Sequence, residues 1–350
     1  MSEEDEEGAP EEQAGGGLLE TITDAGSDLA ESFDGLPPQV KKGIWKTIQR
    51  FGTATLELGV AKIDGKTAEI EAVTKARTDI TEATAAKIAE NARVPQEYVD
   101  AAIHQHYENI IGRKITMDEV VSGAIKMTAE KLKQLPSDSE VLADEESTIG
   151  DEFLNEFEQQ AETKTTEEMK AMFSALLSHE IIQPGSVSTK TIKILGDMTP
   201  EIALLFQKFC SLTTYLGMPN GKPSHDDIRI VATDKSASQN GLQQYGLGYS
   251  TLCKLADYGL ISTEFNSNMT YTPAVVTDNT VMFALLHQSK NWVLKKIDEE
   301  KPVDVKLSGV ALASVGRELF PIVELDPNEE YLTDLKEYLK KRNVTIQGVQ

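Results

Sequence analysis

Apolar residues recur at helical spacing through most of the chain before Leu216. Leu18, Ile22, Ala25, Leu29 and Phe33 follow one another by four, three, four and four residues, which places them on one face of a helix. Gly35 to Pro38 stops that helix, because a Pro-Pro pair cannot sit inside one. A second amphipathic helix follows. Val40, Ile44, Ile48 and Phe51 line one face with Trp45 beside them, and Lys41, Lys42, Lys46 and Arg50 occupy the remainder. The nearly uncharged stretch GTATLELGVAKI comes next. Residues 66–92 are rich in Ala, Glu, Lys and Thr and carry only a thin stripe of Ile70, Val73, Ile80 and Ile88. A helix there needs a second helix or a second subunit against it, although Arg77 and Thr84 fall in the seam.

Two more helices are expected near 95–112 and 117–134, carrying Ile103, Tyr107, Ile110 and Ile111, then Val120, Val121, Ala124 and Ile125. QLPSDSE reads as a loop. Helices at 149–162 and 166–182 follow, the second with Met169, Phe173, Leu176, Leu177 and Ile181 inside and Pro184-Gly185 at its end. Ser188 is placed to cap the next helix. Thr199, Pro200 and Glu201 combine an oxygen cap, Pro at the first helical position and an acid at the positive end of the dipole.

Beyond Met218 the period changes. DIRIVA reads as a strand and GYSTLCKLADYGLI as a short helix ending at Gly259. ISTEFNS and MTYTPAVV read as strands joined by an Asn-Ser-Asn turn. VMFALLH is a further strand, LASVGRELFPIV and EEYLTDLKEYLKKRN are helical, and VTIQGV is a final strand. The expected fold class is mainly α with a smaller α+β C-terminal part. Its regions are an acidic tail at 1–34 with a short amphipathic helix, a helical region at 35–135, a helical segment at 149–217, and a small α+β domain at 218–350. A helix followed by a hairpin makes that last domain winged-helix-like, an order that other small α+β domains share.

Charge sharpens this picture. The 350 residues carry 34 bases and 57 acids, a net charge of −23. Residues 1–34 hold twelve acids and no Lys or Arg, and 1–17 have almost nothing apolar to bury, the composition of a disordered tail. The rest, with 45 acids against 34 bases, is only moderately acidic. That balance argues against a non-specific nucleic-acid coat and leaves room for a local basic patch. The basic helix with Trp45 fits either a bundle helix with a solvated face or a membrane-surface element. The 18–33 helix fits either a docking peptide or a segment packed on its own body.

Cys210 and Cys253 are the two cysteines, both in apolar patterns, and they do not suggest a secreted disulfide scaffold. The N-terminus lacks a positive n-region and an apolar h-region, and no run reaches the roughly 18 apolar residues of a spanning helix. A cytoplasmic protein is expected.

Candidate chemistry is sparse. His104 and His106 project about 200° apart on a helix, poor geometry for one metal. His225-Asp226-Asp227 precedes a strand and reads as a cap or turn. His179-Glu180 invites a general acid/base reading, but adjacent helical residues face different directions, which favours a solvated or capping role. The glycines of GLQQYGLGYS do not fit a phosphate loop. No catalytic residue, cofactor or metal ligand is assigned, and the chain is read as non-enzymatic.

One stretch carries a family likeness. Met172 to Ile181, the turn Pro184-Gly185-Ser186-Val187-Ser188, Thr191 to Leu195 and Ala203 to Phe206 together resemble the bacterial domain-of-unknown-function family 2806, which has no settled activity. In that family the helix reads Leu-Trp-Ala and ends Gly-Glu-Ile. Here Phe173 stands for the Trp and His179 for the Gly. Leu252 to Ile261 and Leu312 to Leu319 extend the resemblance, which covers roughly 150 to 340. The resemblance marks Phe173, Leu177, Glu180, Pro184, Gly185 and Ser188 as structural motif residues. The abortive-infection alpha family is similar more loosely, which implies a role in antiphage defence. Expected partners are another protein or a second copy of the chain. The alternatives are nucleic acid through the helix at 248–259, and a membrane surface through residues 40–63. Candidate interaction residues are Leu18, Ile22, Leu29, Phe33, Lys41, Lys42, Trp45, Lys46 and Arg50.

Overall fold

A computed structural model describes residues 36–51, 96–134, 148–217, 227–276, 284–287 and 290–348. The tail with its 18–33 helix, the GTATLELGVAKI stretch and the 66–92 helix lie outside the described residues. The chain divides into two compact units, Met1–Gly185 and Ser186–Gln350. The first is helical. The second combines helices with a sheet, so the protein is mainly α with a smaller α+β part. Segment 149–217 contributes helices to both units.

In the first unit, α1 (Pro38–Phe51) opens on Pro38 and buries Val40, Ile44, Ile48 and Phe51, the face its spacing predicts. Helix α2 (Gln96–Gln134) is one helix of 39 residues, where the sequence suggested two. Nothing at 113–116 breaks it. Gly112 is exposed with open space around it, and a helical Gly costs only about 1 kcal/mol. The second half of α2 buries Met117, Val120, Val121, Ala124 and Ile125. α3 (Asp151–Ala161) and α4 (Glu167–Ile182) complete the bundle, and Thr166 caps α4 by accepting from the Met169 amide. Phe157 is the hub of the core. It lies 5.9 Å from Phe51, 5.6 Å from Phe153 and 5.6 Å edge-on to Phe173.

Helices α2 and α4 meet along small and polar side chains. A Cβ on Gly123 would come within 2.6 Å of the Ser174 hydroxyl, so the two helices approach closely there. Ser174 Oγ donates to the Val120 carbonyl at 2.9 Å. Thr128 and Ser178 hydroxyls share a bond of 3.0 Å. Each buried hydroxyl in this seam therefore has a partner, as burial demands.

In the second unit, Ser188 caps α5 (Thr189–Asp197) and Thr199 caps α6 (Pro200–Ser211), which has Pro200 in its first turn. Glu318 reinforces the first cap. Its carboxylate accepts from the Ser188 amide at 2.7 Å and from Thr191 Oγ1 at 2.6 Å. α7 is Tyr249–Asp257, α8 Ser314–Leu319 and α9 Glu329–Lys340. The sheet contains β1 (Thr214–Gly217), β2 (Arg229–Val231), β3 (Ser267–Thr270), β4 (Val275–Val276), β5 (Ala284–His287), β6 (Lys290–Lys296), β7 (Lys306–Ala311) and β8 (Val344–Gly348). Its order is β3-β7-β2-β1-β5-β6-β4, with β8 also on β6. Every pairing is antiparallel except β4 with β6.

The strands of the second unit depart from the sequence reading: ISTEFNS, read as a strand, holds only an isolated bridge at Ile261 and the first residue of β3. Ser267 and Asn268 do not form a hairpin turn. They begin β3, which pairs with β7 in the register Ser267↔Gly309 to Thr270↔Lys306. β1, β6 and β7 were not expected. β7 carries Gly309 because its neighbour lies so close that a Cβ would stand 1.9 Å from the Ile230 carbonyl oxygen.

Candidate interaction surfaces

The basic helix α1 spends part of its charge internally. Lys46 Nζ donates to the Ile149 carbonyl at 2.7 Å and pairs with Asp151 at 2.7 Å. The hydrogen bond from Lys46 holds the Asp151 carboxyl below its ordinary range. Arg50 reaches Asn155 at 3.0 Å and Glu158 at 2.6 Å, both on α3. Lys42 is exposed, and Lys41 and Trp45 are half-buried. Of the other interaction residues chosen from sequence, Leu18, Ile22, Leu29 and Phe33 lie outside the described residues.

The first half of α2 presents a different surface. Ile110, Ile111 and Ile115 are exposed, Ile111 by 55%. Arg113 beside them reaches Glu162 at 2.7 Å. The sequence reading had Ile110 and Ile111 among the apolar residues of a helix near 95–112, and helical spacing alone does not distinguish an apolar face that is covered from one that is open.

The motif residues in the first unit are structural. Phe173 and Leu177 are fully buried. Glu180 is buried, and its Oε1 accepts from the Gly185 amide at 2.6 Å, closing the turn after α4. Gly185 has φ +83°, a conformation that glycine adopts without cost. His179, beside Glu180, faces Lys131. Burial, and then that lysine, lower its pKa to about 4, so it is neutral at pH 7.

In the second unit, α7 exposes Tyr249, Ser250 and Lys254. The Tyr249 ring meets Phe265 edge-on at 5.6 Å, and its amide donates to Asn240 Oδ1 at 2.7 Å. Lys254 pairs with Glu201 of α6 at 3.0 Å. The second unit carries 17 bases against 19 acids, so nearly all of the chain's negative charge belongs to the first.

Three side chains of reactive type in the second unit are paired or buried. Asp227 holds the buried Arg229. Asp334 accepts from the Tyr245 hydroxyl at 2.5 Å, and burial followed by that bond pushes the phenol up to about 12. Burial raises the Cys210 thiol well above its usual value, so it is not a thiolate nucleophile at neutral pH. Among the described residues no group of three or more His, Cys, Asp or Glu side chains is placed to hold a metal ion, and no helix is long and apolar enough to cross a membrane.

A family model described as "Protein of unknown function (DUF2806)" matches residues 124–336. The chain belongs to the DUF2806 family. No curated protein and no solved structure matches it. The DUF2806 match begins in the buried half of α2 and ends within α9, so α1, the exposed isoleucines and β8 fall outside it. The Glu180–Gly185 turn, the Ser188 cap, the Arg229 pair and α7 all fall inside. Sequence reading missed Arg229, Tyr245 and His287. Tyr245 and His287 meet partners far away in the chain, Asp334 and Thr213, and Arg229, although paired to nearby Asp227, also donates to Ser267 and Leu307 on distant strands.

Proposed function

We propose that this DUF2806 protein is a non-enzymatic interaction protein that works as an oligomer, with the first half of α2 as a contact surface. The observation that carries this reading is the set Ile110, Ile111 and Ile115, exposed on a helix whose other half is core. Clustered exposed apolar side chains of this size mark sites that another chain covers. The structural use of Glu180, Asp227 and Asp334 supports the non-enzymatic part. The test is the mass of the intact protein by light scattering, alongside Ile111→Lys. A wild-type oligomer that becomes monomeric in the variant supports the reading. A wild-type monomer that also retains no protein from its host overturns it. Antiphage defence in the cytoplasm is the setting proposed for that contact, and a deletion strain unchanged across a broad phage panel would remove it.

A second reading, a winged-helix-like nucleic-acid module, is favoured by one observation. Strands β3, β7 and β2 form an antiparallel run, and α7 is the helix that precedes β3 in the chain. The near-neutral second unit makes this more tenable than the whole-chain charge implied. Only Lys254 offers a cation from α7, and it is already paired. Gel shifts with the full protein at low salt test it: binding weakened by Lys254→Glu supports it, and no binding rejects it. The membrane reading loses support because Lys46 and Arg50 face acids of α3.

A further inference from the structure

We propose that His287 is an acid-sensitive latch on the β1–β5 strand pair: neutral, it ties Thr213 to β5, and protonated, it leaves its place and the pair opens. His287 is only 1% exposed. Its Nδ1 lies 2.9 Å from the Thr213 carbonyl oxygen. A carbonyl can only accept, so Nδ1 carries the proton and Nε2 is the bare acceptor of the neutral ring. Nε2 is buried with no hydrogen-bond partner among the described residues. Protonation would therefore add an N–H that points at no acceptor, and a charge in an apolar setting.

The surroundings do not rescue that cation. From α9, the Tyr331 ring packs at 5.5 Å. The Tyr331 hydroxyl is already occupied, accepting from the Val231 amide and donating to the Val231 carbonyl. Glu329 on the same helix favours the charge and Lys290 on β6 opposes it. Burial, with Lys290 in the same direction, outweighs the Thr213 hydrogen bond and Glu329, which favour the charge, and holds the ring below its ordinary value. Just before β1 the ring meets the neutral Thr213, and Thr214 of β1 is paired to His287 in the strand register. The position matters because β1 lies between β2 and β5 in the sheet. It joins the β3-β7-β2 side to the β5-β6-β8 side, so opening β1 from β5 separates the two.

Hydrogen exchange on the full protein, corrected for the intrinsic pH dependence of exchange, tests this latch. Between pH 7 and pH 5 the β1 and β5 amides of the wild type should lose protection, by up to about 25-fold, the ceiling that the ordinary histidine pKa sets when the folded state resists the proton. His287→Gln should show no such loss. Equal loss in both proteins, or no loss in the wild type, overturns the proposal. If the variant does not fold, the histidine ring signals of the wild type decide. A His287 ring that titrates near its ordinary value, while β1–β5 protection is unchanged, also overturns it.

Discussion

Asp227 and Arg229 form a two-point ion pair at the start of β2, Nε to Oδ2 and Nη2 to Oδ1, each at 2.7 Å. The remaining guanidinium nitrogen, Nη1, donates to the Ser267 carbonyl at 2.7 Å and the Leu307 carbonyl at 3.0 Å. One buried cation thus fastens β2 to β3 and β7. Tyr271 stands 3.4 Å from the same carboxylate, and burial drives its phenol far above the usual range. Removing Asp227 would leave the guanidinium buried and unpaired. Asp227→Ala is expected to destabilise the second unit by about 3–5 kcal/mol, read as a shift in its urea transition.

Gly185 makes a contrasting prediction. Nothing stands within 4 Å of a Cβ placed on it, so any penalty comes from its positive φ alone. Gly185→Ala should cost about 1–2 kcal/mol, and Gly185→Asn should recover much of it, because Asn tolerates the left-handed region. Chemical denaturation of the three proteins checks the order.

Acidification should weaken the first unit through His179. Its folded pKa of about 4 lies below the unfolded 6.5, so the folded state prefers the neutral ring. The full stability is present above pH 6.5 and is lost as pH falls from there toward 4. The loss is at most about 3 kcal/mol. His179→Gln should flatten that part of a pH–stability profile measured on α4 amides, which separates it from His287 in the other unit.

Phe157 touches three aromatic rings in the core of the first unit. Phe157→Ala is expected to cost about 3–5 kcal/mol. Thermal melting should show the effect in the helical signal.

Local patterns made the helices legible. Ser188 and Thr199 announced two starts, and the four-residue ladder Val40, Ile44, Ile48 gave the buried face of α1. The sheet was less legible because its pairings are distant. Asn266-Ser267-Asn268 has turn composition, yet Ser267 is held by Gly309 of β7 and by Arg229 of β2. Thr214 to Leu216 continues the apolar run of α6, so nothing local marks the change to strand. The basic face of α1 was visible as a pattern. That Lys46 and Arg50 would face acids more than a hundred residues away was not, since the partners sit on another helix.

Helix α2 is continuous from Gln96 to Gln134, about 58 Å at the standard rise. A continuous helix turns as a rod. Gly123 and Thr128 of this rod are held against Ser174 and Ser178 of α4, so Ile111, about three turns earlier on the same rod, has its direction set by that seam. The open isoleucines are thus aimed by a tight polar seam, and loosening that seam would change where they point.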